Sequence, residues 1–295
     1  MRSARRSRLV STREWVRLTR GVFDTTPGRD RRRDADHRRR RSAWIGLLAY
    51  GPDAIAVGPC ALALLGVKGL PPHIAPEVAI RGGRSHRPRD GVRVRQFDCP
   101  TTSRYGAHAV VDLVAALVQA LPELPREHAV AVVDDVIHRG LLSARGLADI
   151  RLLLRGRRRS VTVVGWLQLV DARAESPLET FARLRCVDAG IPPDELQVEI
   201  RARDGRLLGR GDLGWRLSEG RWLIAEIDGR EFHEAPDALL RDRARQNALI
   251  NSGQVELLRF TSDDATSRTV IPATVRAALT RDREARRSST TSIER

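Results

Sequence analysis

Three acidic residues in alternating patterns are the first residues of this chain that could do chemistry. Asp212 lies in one run of alternating apolar and polar residues, and Glu226 and Asp228 lie in a second run. Between the runs stands Ser218-Glu219-Gly220, a turn-forming triplet that ends in glycine. Two alternating runs around such a triplet predict a β-hairpin.

The register of this hairpin decides which acids face each other. With the triplet as the loop, Leu217 pairs with Arg221, and the same register places Asp212 directly opposite Glu226. Opposed side chains have Cβ atoms about 4.5–5.5 Å apart, so two carboxylates there repel each other. A bridging Mg²⁺ or Mn²⁺ would turn this repulsion into coordination. The alternatives are a solvated face with two hydrated acids, or a one-residue slip that separates them.

Composition points to a polyanionic partner. The 295 residues include 52 basic and 37 acidic side chains, a net charge of +15. Such an excess favours nucleic acid, and we expect DNA. Three widely spaced cysteines predict neither a disulfide framework nor a zinc site. No apolar run approaches the roughly 18 residues of a membrane span, so we expect a cytoplasmic protein without membrane association.

Five short segments in a fixed order carry a family resemblance. They read ESPLE, GRGDLGW, AEIDGREFH, RDRARQNAL and ELLRF, and they cover roughly residues 170–280. This set resembles the very-short-patch-repair endonuclease-like domain of the PD-(D/E)XK, or restriction-endonuclease-like, superfamily. The resemblance implies an α/β fold with a mixed β-sheet flanked by helices, and metal-dependent cleavage of DNA in defence or repair.

The resemblance also implies roles for individual residues. Asp212 and Glu226 would hold Mg²⁺ or Mn²⁺, with Asp228 as a supplementary ligand and His233 as acid, base or ligand. A solvated histidine at the sheet edge is the alternative for His233. The superfamily triplet ends in lysine, whereas this one ends in Asp228, and no lysine follows Lys68. A metal-bound hydroxide or His233 would then have to act as the base, because arginine stays protonated.

Glu179 has two interpretations. Ser176, Pro177 and Glu179 form a capping box that begins a helix, which explains the glutamate structurally. In the nuclease superfamily an acid on this helix often faces the metal site. Glu179 is therefore also a candidate catalytic residue.

The N-terminal half resembles the AbiEi-type abortive-infection antitoxin family, which implies an α+β domain. The segments RLTRGVFD, GPDAIAVGPCALALLGVKGL and AVVDLVAAL carry this resemblance. In that family a helix-turn-helix precedes the RGVF-like wing and binds DNA. Only ten residues precede Ser11, so we do not expect sequence-specific DNA binding to carry over. The sequence does not identify a cognate toxin.

Arginines on three segments are candidates for binding DNA phosphates. The segments are a strand pair over Arg13–Asp24, a basic loop over residues 28–41, and a helix from residue 235 to about 251. The candidate residues are Arg17, Arg20, Arg31, Arg32, Arg33, Arg241 and Arg245. A solvated loop is the alternative for the second segment. Ion pairs with aspartates on the same helix are the alternative for the third.

Changes in pattern along the chain predict five segments. They are a basic arm and wing remnant (1–41), an antitoxin-like domain (42–155), a linker and helix (156–172), an endonuclease-like domain (173–282) and a disordered tail (283–295). Within them we expect helices over Ser42–Ala49 and Val110–Leu121.

The function that the nuclease resemblance implies is that of a metal-dependent DNA endonuclease. The alternative is a non-catalytic DNA-binding regulator on a degenerate nuclease fold.

Overall fold

The structure is a computed structural model of the chain, and it describes residues 2–27, 34–83, 87, 89–97, 99, 101–229, 247, 249 and 251–293. The chain divides into two units, Met1–Gln168 and Leu169–Arg295. Each unit combines helices with a mixed β-sheet, so the predicted α/β class is confirmed. No described helix has both the length and the hydrophobicity that crossing a bilayer requires.

The first unit contains a hairpin, a five-stranded sheet and seven described helices. Its helices are α1 (Arg2–Ser11), α2 (Ala35–Tyr50), α3 (Gly58–Leu64), α4 (Leu113–Ala120), α5 (Arg126–His138), α6 (Ala144–Leu153) and α7 (Ser160–Trp166). Its strands are β1 (Val16–Thr19), β2 (Val22–Asp24), β3 (Ala54–Ala56), β4 (Glu77–Ile80), β5 (Arg93–Arg95), β6 (Thr102–Tyr105) and β7 (His108–Val111). β1 and β2 form the predicted strand pair, and the sheet order is β5-β4-β3-β7-β6.

Helix α2 corrects the prediction of a basic loop from residue 35 onward, and residues 28–33 of that predicted loop lie outside the described residues. The helix begins at Ala35 because Asp34 caps it with its side chain. Arg39 Nε donates to a backbone carbonyl beyond α3 at 2.8 Å, and Arg41 forms a 2.7 Å ion pair with an aspartate of β2. Arginine is a good helix former, so the helix extends from the apolar stretch back to its cap. High charge density was misread as disorder.

The predicted helix over Val110–Leu121 is wrong in its first turn. Val110 and Val111 belong to β7, which pairs with β3 and β6. Helix α4 begins only after Asp112, whose side chain accepts a hydrogen bond from the Ala115 backbone N–H. β-Branched residues pack well in a sheet, and the aspartate cap marks the change from strand to helix.

A four-stranded mixed sheet forms the centre of the second unit. Its strands are β8 (Glu195–Arg201), β9 (Leu207–Arg216), β10 (Trp222–Asp228) and β11 (Val255–Thr261). The order is β11-β10-β9-β8, with β10 and β11 parallel and the other pairs antiparallel. The described helices of this unit are α8 (Pro177–Asp188), α9 (Ser262–Thr266) and α10 (Val270–Ile293).

Both faces of this sheet carry buried apolar side chains. Leu213, Leu223 and Ala225 belong to a cluster that includes residues of α8, α9 and α10. Ile224 belongs to a second cluster, on the opposite face of β10, together with Leu249. The hairpin with the candidate acids therefore lies within a sheet that is packed on both sides.

Helix α10 corrects the prediction of a disordered tail over residues 283–293. The helix continues to Ile293, and Asp282 attaches it to the hairpin turn. The Asp282 carboxylate accepts hydrogen bonds from the Ser218 hydroxyl at 2.7 Å and from the Ser218 backbone N–H at 3.0 Å. Arg221 forms an ion pair with Asp282 at 2.9 Å. A charged composition predicts disorder, but this tertiary attachment holds the helix on the sheet.

Candidate acidic site of the second unit

The hairpin forms in the predicted register, and its ladder ends just before the acids. Leu213 pairs with Ala225 in the last rung of the ladder, although both strands continue. Asp212 and Glu226 are the next residues of the two strands beyond this rung. There Asp212 Oδ2 accepts a hydrogen bond from the Ile227 backbone N–H at 2.8 Å. A carboxylate thus takes the position that a backbone carbonyl holds in a regular ladder.

Neither acid of this pair is a fully hydrated surface group. Glu226 is 5% exposed and Asp212 is partly buried. Burying a carboxylate costs free energy unless hydrogen bonds or opposite charges compensate. Glu226 is therefore not a hydrated acid on a solvent-exposed face.

Gln197 lies opposite Asp212 on the other neighbouring strand. The β8–β9 register is the same on both sides of it, with Leu196 facing Leu213 and Val198 facing Gly211. Gln197 itself has a φ of 57°, a left-handed conformation that costs a residue with a side chain roughly 1–3 kcal/mol.

The left-handed residue interrupts the alternation of β8, so that the residues before and after it face opposite sides of the sheet. Leu196 and Val198 would share a face in a regular strand, yet they belong to opposite clusters. The same change occurs in β9 around Asp212. A Cβ on Gly211 would clash with Ile224 of the second cluster, whereas Leu213 belongs to the first. Both strands are therefore irregular at the rung that carries Gln197 and Asp212.

Helix α8 brings a third carboxylate to this rung. Ser176 caps the helix by accepting a hydrogen bond from the Glu179 backbone N–H at 3.3 Å. The Glu179 carboxylate accepts from the Glu175 backbone N–H at 2.9 Å, one residue before the cap, and from Gln197 Nε2 at 2.8 Å. Burial raises the pKa of Glu179, and the negative charge of Asp212 raises this pKa further. Glu179 is therefore both part of the helix start and a neighbour of Asp212.

Arg259 completes the row on the last strand. Its Cα pairs with Glu226 in the parallel β10–β11 ladder. Its Nε lies 3.9 Å from Glu226 Oε2 and 3.1 Å from Asp228 Oδ2, and its Nη2 lies 2.5 Å from the same Asp228 oxygen. Gln197 lies across from Asp212, Arg259 pairs with Glu226, and Asp212 and Glu226 both follow the last β9–β10 rung; we call these four residues the acidic row.

Two members of this row, Gln197 and Arg259, were missed at the sequence level. Gln197 stands in an ordinary alternating run, and nothing in the residue types signals a left-handed backbone. Arg259 belongs to ELLRF, but pairing it with Glu226 requires the parallel arrangement of β10 and β11. Local patterns do not specify that arrangement, because residues 229–254 separate the two strands.

The donor set suits a hard divalent cation better than a soft one. The candidate ligands are carboxylate oxygens of Asp212 and Glu226, with Glu179 nearby. Among the residues that the structure describes, no three His, Cys, Asp or Glu side chains are grouped as a complete metal site. Mg²⁺ commonly binds through one or two carboxylates and keeps waters or substrate phosphates as its other ligands. Asp212 and Glu226 fit that pattern, whereas Asp228 is engaged with Arg259.

The other candidate residues lie away from this row or outside the described residues. Arg17 lies exposed on β1, and Arg20 lies exposed in the turn after it. The remaining candidates fall outside the described residues; they are Arg31, Arg32, Arg33, His233, Arg241 and Arg245.

Comparison with known proteins finds two uncharacterized proteins of Mycobacterium tuberculosis, one from strain CDC 1551 / Oshkosh and one from strain ATCC 25618 / H37Rv. Each is 30% identical to this chain over 159 residues, which make up 54% of this chain and 57% of the relative. The chain therefore spans little more than half the length of these relatives. No protein-family model matches the chain, and no solved structure matches it significantly.

Proposed function

We propose that the second unit is a metal-dependent DNA endonuclease of the PD-(D/E)XK type that acts in defence or repair. One observation carries the proposal. Asp212 and Glu226 are the next residues of β9 and β10 beyond the last rung of their ladder, Asp212 binds the backbone of β10, and its charge acts on Glu179. Asp212 and Glu179 repel each other and Glu226 is a buried carboxylate, and a bound cation would offset both costs.

Asp212 and Glu226 are the proposed ligands of Mg²⁺ or Mn²⁺. When bound, the metal supplies Lewis acidity and lowers the pKa of a coordinated water toward neutrality. Hydrolysis adds one water across a P–O bond of the DNA backbone, which leaves a phosphate monoester on one fragment and a hydroxyl on the other. Gln197 binds Glu179 through its amide, and Asp228 binds Arg259 beside Glu226. His233 would serve as acid, base or ligand.

The charge of the chain supports DNA as the substrate. A net charge of +15 attracts a polyanion, and Arg17 and Arg20 are exposed on a hairpin of the first unit. Contacts of this kind are made with phosphates and carry no sequence information. The proposed substrate is therefore DNA that is bound with little sequence preference.

A cleavage assay tests this proposal. We expect the purified full chain to nick or cut plasmid DNA in the presence of Mg²⁺ or Mn²⁺, and EDTA to stop the reaction. Single-stranded and mismatched DNA belong in the same assay, because the substrate structure is not specified by the sequence. Binding of all these forms without cleavage by any divalent metal would refute the nuclease proposal.

One observation favours a second candidate, a non-catalytic DNA-binding regulator on a degenerate nuclease fold. Arg259 places a positive charge against Glu226 and Asp228, so part of the charge of the row is balanced without a metal. The triplet also ends in Asp228 rather than lysine. The antitoxin-like N-terminal half fits this candidate, with a toxin partner of unknown identity. Tight DNA binding without cleavage is the outcome that this candidate predicts.

A further inference from the structure

The guanidinium of Arg259 contacts Glu226 and Asp228, and it could also bind a substrate phosphate. A single guanidinium reaches two carboxylates of β10, with a long contact to Glu226 (3.9 Å) and short contacts to Asp228 (2.5 and 3.1 Å). Asp228 is therefore the firm attachment of this side chain. The contact with Glu226 is the one that a competing cation would replace at lower cost.

The side chain of Arg259 is accessible to solvent, whereas Glu226, which it contacts, is buried. The side chain of Glu226 is 6% exposed, whereas those of Arg259 and Asp228 are 42% and 46% exposed. The guanidinium that contacts the buried Glu226 is therefore itself accessible to a phosphate from solvent. Guanidinium binds phosphate oxygens with paired hydrogen bonds, and it keeps its proton near neutral pH. It can stabilise negative charge on a phosphate but cannot serve as a base.

We propose that Arg259, attached through Asp228, is a catalytic residue that binds the scissile phosphate and that it competes with the divalent cation for Glu226. This proposal rests on the proposed function. A cation held by Glu226 would displace the guanidinium from that carboxylate, and the charge of Arg259 would then be available to a non-bridging phosphate oxygen. It then offsets the charge that builds up there as water attacks phosphorus and the P–O bond breaks.

The proposal predicts opposite effects on metal binding and on turnover. Arg259→Gln removes a positive charge beside the metal ligands, so the full chain without DNA should bind Mn²⁺ about three- to tenfold more tightly. The same variant should cleave saturating DNA at saturating Mn²⁺ about 10²-fold more slowly, because it lacks a donor to the developing charge. Arg259→Lys keeps the charge and should retain wild-type Mn²⁺ affinity with an intermediate rate. A residue that serves packing alone would weaken both properties together.

The experiment combines isothermal titration with Mn²⁺ alone and single-turnover cleavage, with thermal unfolding to verify folding. Arg201→Gln is the matched control, because Arg201 is an exposed arginine of the same sheet that pairs with Glu199 at 2.6 Å. Unchanged cleavage or weaker Mn²⁺ binding in Arg259→Gln would overturn the inference and leave the nuclease proposal standing. A wild-type chain that cleaves no DNA would overturn the nuclease proposal, and the inference with it.

Discussion

The carboxylate of Asp212 accepts the backbone N–H of Ile227 at 2.8 Å, one residue beyond the last rung of the β9–β10 ladder. A side chain thus satisfies a backbone donor that the separating strand can no longer reach. The same residue raises the pKa of Glu179 through its charge. Asp212 therefore has a structural hydrogen bond and an electrostatic effect, and substitutions can separate the two.

We expect Asp212→Asn and Asp212→Ala to differ in stability without metal. Asparagine keeps an oxygen that can accept the Ile227 N–H and removes the repulsion with Glu179, so the free energy of unfolding should stay within about 0.5 kcal/mol of wild type or rise. Alanine leaves the Ile227 N–H without an acceptor and should lower the free energy of unfolding by about 1–3 kcal/mol. Chemical denaturation measures both values.

The metal gives the second readout of these variants. Mg²⁺ or Mn²⁺ should raise the melting temperature of the wild type, because a ligand that binds only the folded state stabilises it. Neither variant should show this increase. If Asp212→Asn lost as much stability as Asp212→Ala, the carboxylate would be structural rather than a metal ligand.

DNA binding should depend on salt through the exposed arginines of the first unit. Each phosphate contact that is lost lowers the slope of log K against log salt by about 0.9. Arg17→Gln and Arg20→Gln should therefore reduce the slope, while the ion-paired Arg201→Gln should leave it nearly unchanged. Binding titrations across a salt series provide the slopes. A strong, salt-independent preference for one DNA sequence would contradict this expectation.

Glu77 in the first unit should make stability depend on pH. Burial raises the pKa of Glu77 from its ordinary 4.5 to about 7, against the lowering effect of Arg95. Between these two values the folded chain binds more protons than the unfolded chain, so its stability falls as pH rises. Above about pH 7 the ionised carboxylate costs up to roughly 3 kcal/mol.

Glu77→Gln tests this pH dependence. The variant should match the wild type near pH 4.5, unfold with a higher free energy at pH 8, and show a flatter profile between these values. Glu123→Gln, at the more exposed acid that also pairs with Arg95, should keep most of the wild-type slope. Denaturant titrations at several pH values measure these profiles. Equal slopes in wild type and Glu77→Gln would show that another group titrates.

The sequence predicted the part of the candidate site that depends on local pattern. Alternation and the turn triplet predicted the hairpin register, which the structure shows as far as Leu213 and Ala225, and the cap signal placed the start of α8 at Pro177. The left-handed conformation of Gln197 was not predictable, because no residue type there requires it. The position of Arg259 depends on a parallel pairing between strands that are distant in sequence.

Two errors in the fold prediction, the basic loop and the disordered tail, have a common physical cause. Arg39 and Arg41 were assigned to a loop and Asp282 lies next to the segment assigned to a disordered tail, yet all three make tertiary contacts. Composition measures average charge, whereas a single ion pair or hydrogen bond to a distant element decides whether a charged helix is held in place. Such partners are visible only in three dimensions.

The most direct test of the central claim compares wild type with Glu226→Gln in cleavage and in DNA binding. The acids are proposed to serve the metal and the arginines to serve the phosphates. The variant should therefore lose cleavage by at least about 10²-fold, while its DNA affinity without metal stays within about twofold. Cleavage by Glu226→Gln at the wild-type rate, under conditions where EDTA stops the wild type, would contradict the account.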